Sequence, residues 1–214
     1  MGADARGAPG AHIGTLRDTG VIIVSTDGSC LRNPGGAIGW AWIAHEGGRF
    51  DSGGAASGTN QIAELTALLR AIEAHPGDEP LLVESDSQYA IRCASEWLEG
   101  WKRKGWRTAS GDQVKNLELI QSIDRAISGR QGPVRFRWVR GHVGNPFNER
   151  ADQLAGLAAQ EWAAGRGVVD DVLVSSQDAE SGTARPARQP ASEPAREVVG
   201  ARSEPGWELG TLFD

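Results

Sequence analysis

Val21-Ile22-Ile23-Val24-Ser25-Thr26-Asp27-Gly28 and Pro80-Leu81-Leu82-Val83-Glu84-Ser85-Asp86-Ser87 are two short apolar runs that end alike, in a hydroxyl residue followed by an aspartate. Runs of this length, rich in branched residues and closed by turn formers, predict strands at Val21–Thr26 and Pro80–Glu84. Between them, Asn33-Pro34-Gly35-Gly36 is a turn. Ile38–Ala44 and Arg49–Ser52 flank Glu46-Gly47-Gly48, which predicts a hairpin. A helix is expected from about Gln61 to Ala74 with Asn60 as its N-cap, because Leu65, Leu68, Leu69 and Ile72 recur at i, i+3, i+4, i+7. Beyond the second run, helical pattern covers Tyr89–Leu98 and Gln113–Ile127. A strand follows at Val134–Val139, and a last helix at Pro146–Ala163 with proline in its first turn. The order βββαβααβα implies an α/β sheet, an antiparallel meander followed by strands joined through helices.

The rest of the chain sets limits. Residues 1–19 are Gly/Ala-rich without periodicity and are expected to form a flexible arm. From about 164 the apolar periodicity stops, and Ala184–Pro194 cannot bury enough surface to order itself. One domain over 20–163 with a disordered tail over 164–214 is therefore expected. The longest apolar run, Trp40–Ala44, is far too short to span a membrane. No signal-peptide stretch opens the chain, and Arg6 stands where a myristoylation signal needs Ser or Thr. Cys30 and Cys93 are too few for a disulfide scaffold, so a reducing cytoplasm is the expected setting. The four histidines are scattered and lack zinc spacing. The net charge of −6 disfavours wholesale coating of nucleic acid. Yet Lys102, Arg103, Lys104 and Arg107 cluster, interleaved with Trp97, Trp101 and Trp106, an aromatic–basic surface suited to a phosphate backbone. Arg135 and Arg137, alternating with Phe136 and Trp138, are expected on a solvent face.

Ligands of open α/β sheets gather beyond the carboxyl ends of parallel strands. If the two runs are neighbours, Asp27 and Asp86 stand about 4.8 Å apart, where like charges raise a pKa or require a cation between them. Glu64, one turn into its helix, can lean over the strand ends. Asp152 lies beside the apolar line Ala151, Leu154, Ala155, Ala158 and can do the same. Four acidic groups with no fixed Lys or Arg partner suit a hard divalent cation, Mg²⁺ before others.

The surrounding residues resemble the type 1 ribonuclease H family throughout 20–163. Thr26-Asp27-Gly28-Ser29-Cys30 with Asn33-Pro34-Gly35 is similar to the family's first-strand motif. Thr59-Asn60-Gln61-Ile62-Ala63-Glu64-Leu65 is similar to its first helix, and Ser85-Asp86-Ser87-Gln88-Tyr89 to its fourth strand and following turn. Trp101-Lys102-Arg103-Lys104-Gly105-Trp106 resembles its basic protrusion. Val139–Pro146 and Asn148-Glu149-Arg150-Ala151-Asp152 resemble its final loop and helix.

The resemblance implies a five-stranded mixed sheet, three antiparallel strands then two joined by helices, with helices on its faces. It implies an endonuclease that hydrolyses the RNA strand of RNA–DNA hybrids and leaves 5′-phosphate and 3′-hydroxyl ends. Asp27, Glu64, Asp86 and Asp152 would hold two Mg²⁺ ions, with Mn²⁺ as the alternative metal. His142 would shuttle protons or help product leave. Asn33, Asn60, Gln61 and Gln88 would meet the minor groove, their amides donating to and accepting from a 2′-hydroxyl. Trp97, Lys102, Arg103 and Lys104 would track the DNA strand, and Thr59 and Asn116 would grip a phosphate, with Ser57 where some members carry a basic residue. The competing readings are a non-catalytic hybrid-binding module and another nuclease of the same fold. A monomer is expected. Thr211-Leu212-Phe213 resembles the end of peptides that grip the bacterial sliding clamp, which implies that clamp, or single-strand-binding protein, as a partner at the tail tip during replication.

Overall fold

The computed structural model describes residues 20–168. The expected arm over 1–19, the tail beyond 168 and the docking tip Trp207–Asp214 lie outside the described residues. No described helix is long and apolar enough to cross a membrane.

Five strands, β1 (Ile22–Cys30), β2 (Ile38–Ala44), β3 (Phe50–Ala55), β4 (Leu81–Ser85) and β5 (Val134–Trp138), form one sheet in the order β3-β2-β1-β4-β5. β1–β2 and β2–β3 pair antiparallel; β1–β4 and β4–β5 pair parallel. This is the expected mixed sheet, and it makes the two decisive runs neighbours.

Strand alternation sorts the core onto two faces. Val24, Trp40, Trp42 and Val83 face one way, onto Leu65, Leu68 and Ile72 of α1 (Asn60–Glu73) and Ile120 and Ile123 of α4 (Leu117–Gly129). Ala41 faces the other way, onto Leu154 and Ala155 of α5 (Pro146–Ala163). The leucines and isoleucines are fully buried, so truncating one, as in Leu68→Ala, costs about 2–5 kcal/mol. Gly28 lets α1 lie directly on β1: a Cβ there would sit 2.3 Å from the backbone nitrogen of Glu64.

Three local expectations are corrected. Thr59, not Asn60, caps α1; its hydroxyl accepts from Ile62 N at 3.2 Å, which frees the Asn60 amide. The helical stretch after β4 is three pieces, α2 (Gln88–Arg92), a π-helical turn (Cys93–Trp97) and α3 (Leu98–Arg103). The helix expected from Gln113 starts only at Leu117, because Gln113 bridges to Arg107 and Asn116 is left-handed at φ 55°.

Candidate active site

Parallel pairing of β1 with β4 ends with Thr26 opposite Ser85, so Asp27, still within β1, and Asp86, just past β4, follow side by side; β1 runs on to Cys30 beyond the expected end at Thr26. α1, seated on Gly28, brings Glu64 above them. Ligand oxygens of Asp27, Glu64 and Asp86 all lie within 4.8 Å of one another. Asp152 stands on α5 near this triplet, close enough for its charge to act on Asp27.

Two members of the cluster are buried, the other two half-buried. Asp27 is 6% exposed and Glu64 8%. Burial, then the charges of Asp86 and Asp152, push the Asp27 carboxyl up to about 8. Burial, then Asp27 and Asp86, push Glu64 up to about 9. Among the described residues no Lys or Arg is ion-paired with any of the four. One oxygen of Glu64, Oε2, is buried with no hydrogen-bond partner, while Oε1 accepts from Asn60 Nδ2 at 3.4 Å. A buried acceptor without a donor, in an all-oxygen set of carboxyls, fits a hard divalent cation.

Neighbouring groups orient the acids. Gly28 N donates to Asp27 Oδ1 at 2.7 Å. Asn148, fully buried on α5, donates from Nδ2 to Asp86 Oδ2 at 3.3 Å. Gly141 packs so tightly that a Cβ would lie 2.3 Å from that same oxygen. Trp138 Nε1 donates to the Asp86 carbonyl at 3.0 Å. Sequence reading missed Asn148, Gly141 and Trp138 as supports; only the motif around Asn148 and Asp152 carried a signal for the first.

The other expected residues fall into three groups. Asn33, Thr59, Asn60 and Gln61 gather beside Glu64: Asn33 Oδ1 accepts from Asn60 N at 3.3 Å, and Gln61 is exposed. Ser57 there donates to the Gly35 carbonyl at 3.2 Å. Gln88 opens α2, exposed, two residues after Asp86. Asn116 donates to the Tyr89 hydroxyl at 3.4 Å, and the Tyr89 ring meets Trp97 edge-on at 6.3 Å. His142 is exposed in the loop before α5, left-handed at φ 54°.

The basic segment differs from its expectation in two ways. Trp101 and Trp106, like Trp97, pack partly buried against the main core. Lys102 is engaged within the chain, 2.9 Å from Asp124 and 3.7 Å from Glu99. Arg103 and Lys104 are exposed. Arg135 and Arg137 are exposed as expected, and Arg137 in addition turns its guanidinium onto buried Glu84.

Comparison with known proteins covers the same region. The RNase H family model matches residues 19–160. The ribonuclease H of Tropheryma whipplei (strain Twist) is 46% identical over 143 residues, 66% of this chain and 86% of that protein. The ribonuclease H of Thiobacillus denitrificans (strain ATCC 25259 / T1) is 47% identical over 137 residues, 63% of this chain and 90% of that one. Among solved structures, LC9-RNase H1, a type 1 RNase H with the type 2 active-site motif, superposes with a TM-score of 0.58 at 28% identity, covering 75% of this chain and 82% of the other. The match runs from the first strand through the last helix and takes in every carboxylate of the cluster, so the chain belongs to the RNase H family and is a ribonuclease H.

Proposed function

We propose that this enzyme is an Mg²⁺-dependent endonuclease that cuts the RNA strand of RNA–DNA hybrids as a monomer, leaving 5′-phosphate and 3′-hydroxyl ends. The observation that carries the reading is the packing of ligand oxygens of Asp27, Glu64 and Asp86 within 4.8 Å, with no Lys or Arg among the described residues ion-paired to them. Asp27, Glu64, Asp86 and Asp152 are the residues that would hold the metal. When bound, a pair of Mg²⁺ ions supplies a nucleophile at neutral pH and neutralises charge on the leaving 3′ oxygen. The protein's part is orientation. Asn60 keeps Glu64 turned inward, and Asn148 with Gly141 fixes Asp86. Asn33, Asn60, Gln61 and Gln88 offer donors and acceptors to a 2′-hydroxyl, the group that separates RNA from DNA. Exposed His142 can exchange a proton with the scissile region or help product leave. Arg103 and Lys104 supply sequence-independent attraction to the phosphate backbone. The cytoplasmic setting is supported by two thiols, Cys30 and Cys93, that are unpaired.

The test is incubation of end-labelled RNA–DNA hybrid, double-stranded DNA and double-stranded RNA with purified protein, with Mg²⁺ or with EDTA. Shortened RNA from the hybrid alone, only with metal, is expected, with ends that accept 3′ extension. Equal cutting of all three duplexes, or none of the hybrid, overturns the reading.

A further inference from the structure

Directly beneath the acidic cluster, on the same face of the sheet, lies a second buried carboxylate that the reaction does not use. Glu84 is 2% exposed and sits two residues before Asp86 on β4, opposite Ser25, which sits two residues before Asp27 on β1. Its partners come from two other strands, from the residue after β2 and from the N-cap of α5. Arg137, on β5, donates to Glu84 Oε1 through Nε at 2.8 Å and again through Nη2. Asn145 donates from Nδ2 to Oε2 at 3.5 Å. Ser25 Oγ donates to Oε2 at 3.3 Å, and His45 Nε2 lies 3.6 Å from it.

Arg137 and Asn145 bracket the segment that carries Gly141 and His142. The same Asn145 caps α5, its Oδ1 accepting from Phe147 N at 3.1 Å and Asn148 N at 3.3 Å. Phe147 in turn stacks on His45, with ring centroids 3.8 Å apart and planes at 10°. α5 then delivers Asn148 to Asp86 and Asp152 to Asp27.

We infer that Glu84 is a positioning residue: one carboxylate clasps Arg137 and Asn145, the two ends of the His142 segment, and so fixes that segment and the start of α5 against Asp86 and Asp27. The inference rests on the reading of the site as a hybrid nuclease. A buried carboxylate tied to groups from several elements holds them in one arrangement because any departure leaves its charge uncompensated. Displacement of reacting groups by about 1 Å can cost on the order of a hundredfold in rate.

Two variants test it in the full-length chain. Glu84→Gln keeps the size of the side chain and removes its charge. Asn145→Ser keeps an α5 cap of equal quality and removes only the amide that reaches Glu84. Both are expected to lower kcat on hybrid, Glu84→Gln by about tenfold and Asn145→Ser by about threefold, with KM within about twofold of wild type. In metal-free protein, amide exchange over 139–145 is expected to quicken about tenfold in each, with the strands unchanged. A general loss of stability would instead quicken exchange everywhere. Wild-type kcat in either folded variant, or unchanged exchange over 139–145, overturns the inference; should Glu84→Gln fail to fold, Asn145→Ser decides. A wild-type enzyme that leaves hybrid intact sinks the functional reading on its own, and the exchange experiment still tests the clasp without reference to activity.

Discussion

Two layers of carboxylate, one residue pair apart on the same sheet face, have opposite fates. In the upper layer Asp27 and Glu64 are buried, Asp86 and Asp152 are half-buried, and each acid is surrounded by its own sign. The lower layer, Glu84, is buried more deeply and clasped by a guanidinium, an amide, a hydroxyl and an imidazole. Burial therefore does not separate a structural acid from a metal-seeking one. What separates them is whether the fold itself supplies the countercharge.

Four experiments break or sharpen that contrast. The largest effect is expected from Asp27→Asn. It removes the charge at the centre of the upper layer, so hybrid cleavage in Mg²⁺ should fall by at least about 10³-fold, while binding to hybrid in a gel-shift assay is retained. The same variant should melt higher than wild type in EDTA near pH 8, because it relieves repulsion among buried like charges. Near-normal cleavage would remove Asp27 from the site.

Breaking the lower layer should cost stability instead. Arg137→Met leaves Glu84 buried without its cation and is expected to destabilise the fold by about 2 kcal/mol in urea unfolding, since Arg137 is itself half solvated. A variant as stable as wild type would mean that Glu84 has no need of a countercharge.

The pH dependence of stability should have opposite signs in the two layers. The carboxyls of Asp27 and Glu64 are raised to about 8 and about 9, so the metal-free native state holds protons that the unfolded chain has lost. Its stability is full below the ordinary carboxyl range, near pH 4, and falls as pH rises through about 9. Saturating Mg²⁺ should flatten that decline in a series of thermal melts. His45 titrates the other way. Burial, and secondarily Arg137, hold its pKa below 6.5 against the pull of Glu84. Its contribution is present above pH 6.5 and lost as pH falls below it. Replacing His45 with Gln should flatten the acid limb and leave the alkaline limb unchanged.

The smallest effect concerns a cation already paired with an acid. Arg103→Ala and Lys104→Ala should each lower the slope of log affinity against log salt by roughly 0.9, whereas Lys102→Ala should lower it by less, because Asp124 already neutralises Lys102. Equal slopes for all three would show that Lys102 leaves Asp124 on binding.

Much of this was legible in the linear chain, and the failures are instructive. The boundaries Pro146–Ala163 were read correctly because proline at a helix start and a helical apolar period act locally; the Asn145 cap emerged only from the structure. The start of α4 was misread because a single left-handed residue, Asn116, interrupts a pattern that periodicity alone extends to Gln113. Trp101 and Trp106 were read with the basic surface, since an interleaved aromatic looks the same in sequence whether it stacks on a ligand or on the core.

The sequence by itself determined the elements and the two acid-tipped strands, since strand length, helix period and turn chemistry depend on residues a few positions apart. It also presented Asp27, Glu64, Asp86 and Asp152 as an unpartnered set. Only the tertiary structure decided that Glu84 belongs to a different class from Asp86, two residues on and just past the end of β4. The countercharge of Glu84 comes from Arg137, and its other partners are Ser25, His45 and Asn145, four residues far apart in the chain. Electrostatic compensation is set by distance through space, and the pairing order of the sheet, not the order of the chain, fixes that distance.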